Sequence, residues 1–268
     1  MLFICPNINL IRRRMIFMLL KEKMQNGGKI AGTMIRLVRN PALMSLAKNT
    51  GLDFIMYDCE HSSFDFETLH DAFMLANALG VGGFVRVPVG TKDYISRALD
   101  SGAVGIMVPM IETVEQAKNL VKYSKFQPVG GRGFSSASAY TGYQPGLHSK
   151  IMQENNDKVI TIAQIETKTA IGNIDSIAAV EGIDALLIGP NDLSISLGVP
   201  GDLLNPIELE AIAKVAAACK KHKKIFGLHA GADLLGKFAA DLQLCMSSGD
   251  SDFLMAGFKG VRELVDSF

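Results

Sequence analysis

Along the chain, short apolar runs alternate with longer stretches in which apolar residues return every third or fourth position. The runs are "KIAGTMIRL" (29–37), "DFIMYD" (53–58), "GFVRVP" (83–88), "GIMVPM" (105–110), "VITIAQIE" (159–166), "ALLIGPND" (185–192), "KIFGLHA" (224–230) and "LQLCMSS" (242–248). Each is apolar almost throughout rather than at alternate positions, which marks strands covered on both faces, as in a parallel sheet. The stretches between them, such as "TVEQAKNLVKYS" and "IELEAIAKVAAACKKHKK", carry a helical period. Strand alternating with helix means βα units, and eight of them in 268 residues predict a (β/α)8 TIM barrel. A doubly wound sheet is the competing arrangement, but no G-x-G-x-x-G follows the first run. No linker or low-complexity tract divides the chain, so a single domain is expected over 18–268. The preceding segment, 1–17, reads as a dispensable extension, with Met15 or Met18 as alternative starts.

Composition narrows the class of function. Lys plus Arg (27) equals Asp plus Glu (27), so the chain offers no electrostatic footprint for nucleic acid. No segment reaches the roughly 20 apolar residues that span a bilayer, and "MIFMLL" is too short for a signal-peptide core. Cys5, Cys59, Cys219 and Cys245 are scattered with no C-x-x-C pair, which fits a reducing cytoplasm better than a disulfide framework or a zinc site.

The polar residues gather at the ends of the runs. Asp58 and His61 close the second, Arg86 the third, Glu166 the fifth, Asp192 the sixth and His229 the seventh. In a barrel these tips meet at the C-terminal face, where such enzymes keep their active sites. Two carboxylates, Glu166 and Asp192, with no His or Cys beside them favour a hard cation, Mg²⁺ or Mn²⁺, over zinc. Such an ion polarises a 2-oxo acid and stabilises its enolate. Arg86 adds charge stabilisation at the same oxygen, and His61 suits proton transfer near neutral pH. Electron sink, clamp and base together suit a retro-aldol cleavage.

The stretches "DFIMYDCEHSSFDFETL", "RVP", "VPMIETVEQAKNLV", "GGRGFSS", "QIETKTAIGNID" and "VEGIDALLIGPNDLSISLG" resemble the HpcH/HpaI aldolase family, whose members are metal-dependent (class II) aldolases of 2-oxo acids related to the citrate lyase β-subunit. The resemblance implies a carbon–carbon lyase that cleaves 4-hydroxy-2-oxo acids to pyruvate and an aldehyde. The substrate would be of the 2,4-dihydroxyhept-2-ene-1,7-dioate or 2-keto-3-deoxy sugar acid type. It also implies Mg²⁺, Mn²⁺ or Co²⁺ as cofactor and a homohexamer, a trimer of dimers. By resemblance, Glu166 and Asp192 match the metal ligands, His61 the base and Arg86 the arginine at the keto oxygen. Gln164 matches a substrate contact, and Gly189 and Asn191 match positions whose backbone amides hold the pyruvate carboxylate. Asp58 matches an acidic position beside the base, with Glu60 as its neighbour and no step assigned to it. Asp100 matches an aspartate that orients the histidine of a neighbouring subunit. A citrate-lyase-like enzyme acting on a CoA thioester and a non-catalytic 2-oxo acid binding protein are the alternatives. The chain departs from the family at Cys59, expected to be a packing residue. It also lacks the arginine that several members carry shortly after "RG". His229 stands where a leucine commonly lines the pocket, so it is expected either to touch the acceptor or to bond backbone. Lys168, the nearest candidate for a Schiff-base lysine, falls in a helical stretch and reads as a solvated charge.

Overall fold

The strands are continuous in hydrophobicity because both their faces are covered. Every residue of β2 (Phe54–Asp58), β3 (Gly82–Arg86), β4 (Gly105–Val108), β5 (Ile160–Ile165) and β6 (Ala185–Ile188) is buried. The computed structural model describes residues 20–268, and the expected extension over 1–17 lies outside the described residues. With β1 (Ile30–Ile35), β7 (Ile225–His229) and β8 (Leu244–Gly249), the strands form a closed barrel in sequence order, every pair parallel. β8 returns to β1, Leu244 beside Ile30, and closure leaves no unpaired edge. This is the (β/α)8 barrel predicted from the alternation of runs.

Helices follow the strands. They are α1 (Leu43–Thr50), α2 (Phe66–Leu79), α3 (Lys92–Asp100), α4 (Val114–Ser124) and α5 (His148–Lys158) in the first half. The second half adds α6 (Lys168–Gly172), α7 (Ile174–Ala178), α8 (Pro190–Ser196), α9 (Pro206–His222), α10 (Ala232–Lys237) and α11 (Asp250–Asp266). Their starts are written locally. Thr113 and Gln116 make a capping box for α4, and Asp65 accepts the Thr68 N–H at the head of α2.

Successive side chains point to opposite faces, and the two sets form separate cores. Met34, Phe54, Met56, Phe84, Met107, Ile162, Leu187 and Leu244 fill the barrel interior. Ile35, Ile55, Tyr57, Val85, Ile106, Ala163 and Leu186 lie beneath the helices. The interior has room for two large rings only because glycines face them. Phe54 and Phe84 stack with centroids 4.6 Å apart. A Cβ on Gly32 would stand 2.4 Å from the Phe54 ring, and one on Gly105 2.5 Å from the Phe84 ring.

Two run ends differ from the sequence expectation. The sixth run does not carry Asp192 to a strand tip: β6 stops at Ile188 and Pro190 opens α8. Proline has no N–H for the ladder, and its fixed φ suits the first helical position, so Asp192 rides in the first turn of α8. The first run likewise ends at Ile35, which leaves Arg36 outside the strand at the barrel mouth.

The interior packing gives a direct test. Gly105→Ala should destabilise the fold by about 1–3 kcal/mol, because a methyl group must displace the Phe84 ring. Urea denaturation reads this, and an unchanged midpoint would show that the ring relocates freely.

Candidate active site

The inward series along each strand, extended by one more inward position, ends in polar groups. Ile30, Gly32 and Met34 lead to Arg36; Phe54 and Met56 lead to Asp58; Phe84 leads to Arg86. In the same way Ile162 leads to Gln164, Leu187 to Gly189, Gly227 to His229 and Met246 to Ser248. Register does the rest: Met34 pairs with Met56, and Asp58 pairs with Arg86, so Arg36, Asp58 and Arg86 form one lateral row. Arg36, His61, Arg86, Gln164, Gly189, Asn191, Asp192 and His229 line a single cavity of about 510 Å³ at this mouth. The sequence-predicted residues Asp58 and Glu166 are buried behind this lining, Asp58 bonded to Arg36 and Arg86 and Glu166 to Gln164.

Asp58 is the hub of the first half of the wall. Its carboxylate accepts from Arg86 Nε (2.9 Å) and Nη2 (2.6 Å), from Arg36 Nε (2.9 Å), and from the backbone N–H of Glu60 (3.1 Å) and His61 (3.3 Å). Burial by itself raises this carboxyl, but the Arg86 pair, the His61 N–H and Arg36 outweigh it and hold the group below its ordinary value. The same pairing raises the Arg86 guanidinium despite burial. Glu60 takes part as well: its Oε2 lies 2.8 Å from Arg86 Nη1 and 3.7 Å from His61 Nε2. Burial raises the Glu60 carboxyl above its usual value, with Arg86 and His61 opposing. The sequence reading gave Glu60 no role and passed over Arg36. The parity of the first run was the available signal for Arg36.

The opposite half collects carboxylates. Glu166 accepts from the Met110 N–H (2.7 Å) and from Gln164 Nε2. Met110 reaches it with φ of 54°, a left-handed conformation unusual for a side chain of that size. Burial pushes Glu166 up to about 7, with the charges of Asp192 and Glu60 adding to it. Gln164 Oε1 is buried and has no partner among the described residues. A Cβ on Gly189 would stand 2.4 Å from Glu166 Oε2, so only glycine lets the backbone approach this carboxylate.

This oxygen-only donor set fits a hard divalent cation. Among the described residues no three His, Cys, Asp or Glu converge to enclose a metal. Glu166 and Asp192 would therefore hold an ion with much of its coordination sphere left to water and substrate.

Gly189 needs a correction. Its N–H donates to the Ile165 carbonyl (3.2 Å) as part of the β5–β6 ladder, so it is not free for a ligand. The first-turn N–H groups of α8 on Asn191 and Asp192 have no acceptor among the described residues, as expected at a helix start. His229 lines the cavity, its Nε2 3.1 Å from the Ser248 carbonyl, and burial lowers its pKa, with Arg36 and Arg86 contributing. Burial, aided by the Asp58 charge, pushes the Cys59 thiol up to about 12, which fits packing and not nucleophilic use. Lys168 is the exposed first residue of α6 and is absent from the cavity wall. Asp100 is not brought to the site. It ends α3 ahead of β4, at the other end of the barrel, where it pairs with buried Arg132 at 2.5 Å. Arg132 in turn lies over the Phe126 and Tyr140 rings.

A closed (β/α)8 barrel whose mouth combines an arginine-clamped carboxylate, an exposed imidazole and two further carboxylates has the layout of a barrel enzyme with its site at the C-terminal face. The sequence model of the HpcH/HpaI aldolase/citrate lyase family matches residues 35–255, and the chain belongs to that family of carbon–carbon lyases. It is 34% identical to the 2-dehydro-3,6-dideoxy-6-sulfogluconate aldolase of Pseudomonas putida, covering 78% of this chain and 85% of that one. It is 37% identical to a 4-hydroxy-4-methyl-2-oxoglutarate aldolase of Hapsidospora irregularis, covering 78% of each. The crystal structure of an HpcH/HpaI aldolase from Desulfitobacterium hafniense superposes with a TM-score of 0.87 at 34% identity, covering 91% of this chain and 96% of that one.

Glu166 sets a pH test in chelator. Its folded carboxyl lies above the unfolded value, so the protonated form is favoured by folding. Stability is then full below the ordinary carboxyl pKa and is lost as pH rises through about 7. The Glu166→Gln chain should melt higher than the parent at about pH 8, and the difference should shrink toward about pH 4. Thermal melts of the two chelated proteins check this; equal melting at the higher pH would show that Glu166 carries no such strain.

Proposed function

We propose that this chain is a divalent-metal-dependent class II aldolase that cleaves 4-hydroxy-2-oxo acids to pyruvate and an aldehyde. The observation that carries the reading is the pairing of Glu166 and Asp192 across the cavity mouth from the Asp58-clamped Arg86. Glu166 and Asp192 would hold a Mg²⁺, Mn²⁺ or Co²⁺ ion, which would supply Lewis-acid polarisation of the substrate's keto group. Arg86 stabilises the negative charge that develops on the keto oxygen, and Asp58 holds its guanidinium in place for that task. The substrate carboxylate rests on the free first-turn N–H groups of Asn191 and Asp192, with Gln164 beside them. His61, on the rim with a side chain 58% exposed, removes the proton of the 4-hydroxyl as the carbon–carbon bond breaks.

The same reading includes a homo-oligomer, a hexamer built as a trimer of dimers, in the cytoplasm. Two observations support a second copy. Of α11 only Asp250 is buried, while Phe253, Met255, Phe258, Val261 and Leu264 are exposed on the helix. So many exposed apolar side chains along one helix favour association. Asp100, too, lies at the wrong end of its own barrel to reach His61, and the family resemblance gives it the role of serving the His61 of a neighbour. A carboxylate on one imidazole nitrogen fixes the tautomer and supports the charged form. Cys59, Cys219 and Cys245 are free thiols, as suits a reducing compartment.

Chelator should abolish pyruvate release from 4-hydroxy-2-oxo acids, and Mg²⁺, Mn²⁺ or Co²⁺ should restore it. Asp192→Asn should weaken metal binding without lowering the melting temperature of the metal-free protein. Full activity in chelator, or trapping of pyruvate on the chain by borohydride, would refute metal dependence.

The shared site is tested by mixing. His61→Ala and Asp100→Ala chains should each be nearly inactive, and co-assembled chains should regain part of the activity at interfaces that pair an intact His61 with an intact Asp100. Mixed oligomers that form but stay inactive would show that Asp100 serves its own fold through Arg132.

A further inference from the structure

The donor chemistry uses the β2, β3, β5 and β6 side of the cavity and leaves the wall formed by β7, β8 and the end of β1 unassigned. Arg36 stands on that wall and is held from two sides. The buried Asp250 carboxylate accepts the backbone N–H groups of Arg36 (3.1 Å), Leu37 (2.8 Å) and Val38 (2.7 Å), which fixes the main chain. Arg36 Nε is fixed at 2.9 Å from Asp58. The outer edge of the guanidinium is nonetheless free. Its side chain is 49% exposed, and it lines the cavity. Among the described residues Nη1 has no acceptor, and Nη2 meets only the Met34 sulfur at 3.4 Å, a weak acceptor. Asp58 already carries Arg86, so one buried carboxylate is shared by two guanidiniums and the Arg36 charge is only partly offset.

The neighbouring groups leave this edge as the place for an anion. Asp250 is spent on four backbone donors, those of Arg36, Leu37, Val38 and Ser251, and Asp252, which also faces the cavity, accepts the Gly249 N–H at 2.9 Å. His229 lies on the same wall beside the Ser248 carbonyl. A carbonyl oxygen only accepts, so Nε2 carries the proton there, and burial together with the Arg36 and Arg86 charges disfavours a second proton on the ring. Arg36 is therefore the cation of this wall, set in a planar fork that matches a carboxylate.

We propose that Arg36 is a specificity-determining residue: its free Nη edge binds a carboxylate carried by the aldehyde half of the substrate, so the enzyme prefers dioic 4-hydroxy-2-oxo acids over those whose aldehyde half is uncharged. The proposal rests on the aldolase reading above and narrows its substrate class. It gives Arg36 recognition of the acceptor and leaves enolisation of pyruvate to the opposite wall.

The test runs in the synthetic direction with metal-loaded protein, pyruvate, and either succinic semialdehyde or butanal, which share a four-carbon chain. The wild-type enzyme should favour succinic semialdehyde. In Arg36→Met the ratio of the two kcat/KM values should fall by about 10- to 100-fold, mainly through KM for the semialdehyde. Arg36→Lys should fall between, because a lysine keeps the charge but loses the fork and the Asp58 anchor; it also gives the same readout should Arg36→Met fail to fold. A ratio unchanged in the variants, including a parallel loss with both aldehydes, would overturn the proposal and leave Arg36 as a support for Asp58. So would a wild-type preference for butanal. Exchange of the pyruvate methyl protons into deuterium oxide without any aldehyde separates the two levels. Its absence in the wild-type enzyme would refute the aldolase reading itself, whereas normal exchange without a carboxylate preference refutes only the role of Arg36.

Discussion

The mouth of this barrel depends on one buried carboxylate. Asp58 is wholly buried, and a lone carboxylate there would cost several kcal/mol in lost hydration. It persists because five donors reach it, from Arg36, Arg86 and the backbone of Glu60 and His61. These bonds join three successive strand ends and shape the turn that presents His61. Removing either arginine would leave part of the charge unmatched, and removing Asp58 would leave two guanidiniums facing each other in a confined space. Position and protonation of the arginines thus follow from the same contacts.

The other side of the mouth stores the opposite imbalance. Glu166 and Asp192 repel each other and feel the Glu60 charge from the facing half, and Glu166 is left with a carboxyl raised by burial. Backbone strain gathers at the same level: Met110 and Ser248 are both non-glycine residues in left-handed conformations, at the ends of β4 and β8. Below this layer the barrel is filled with methionine, phenylalanine and isoleucine and carries no comparable conflict. The apolar body therefore supports a layer of unfavourable electrostatics, a distribution expected where a divalent cation completes the site.

The barrel was legible in the sequence because double burial leaves an unmistakable mark, a run with no polar face. The candidate site was legible where a charged residue ended such a run, as with Asp58, Arg86, Glu166 and His229. It was illegible where the end of a run was misplaced. Arg36 looked like part of a strand, although the inward parity Ile30, Gly32, Met34 already pointed to it, and Asp192 looked like a strand tip although Pro190 had ended the strand. Hydrogen-bond partners were harder still. The Gly189 N–H is consumed by the ladder with Ile165, and Glu60 bridges Arg86 and His61, because of register and loop geometry that no single residue type encodes.

The two walls of the cavity differ in how tightly they are determined. On the donor side each group is fixed by another: Gly189 by the space Glu166 leaves, Glu166 by Met110 and Gln164, Arg86 by Asp58. A substitution there disturbs several partners at once. On the wall of β7, β8 and β1, His229 and Ser248 contact each other, and Arg36 keeps an unbonded edge toward the cavity. His229 can change there without disturbing the donor groups, whereas Arg36 is tied to them through Asp58. One departure of this chain, His229, falls on that wall, while another, Cys59, directly follows β2 on the donor side. Constraint on one side and latitude on the other therefore follow from the number of partners each side chain has.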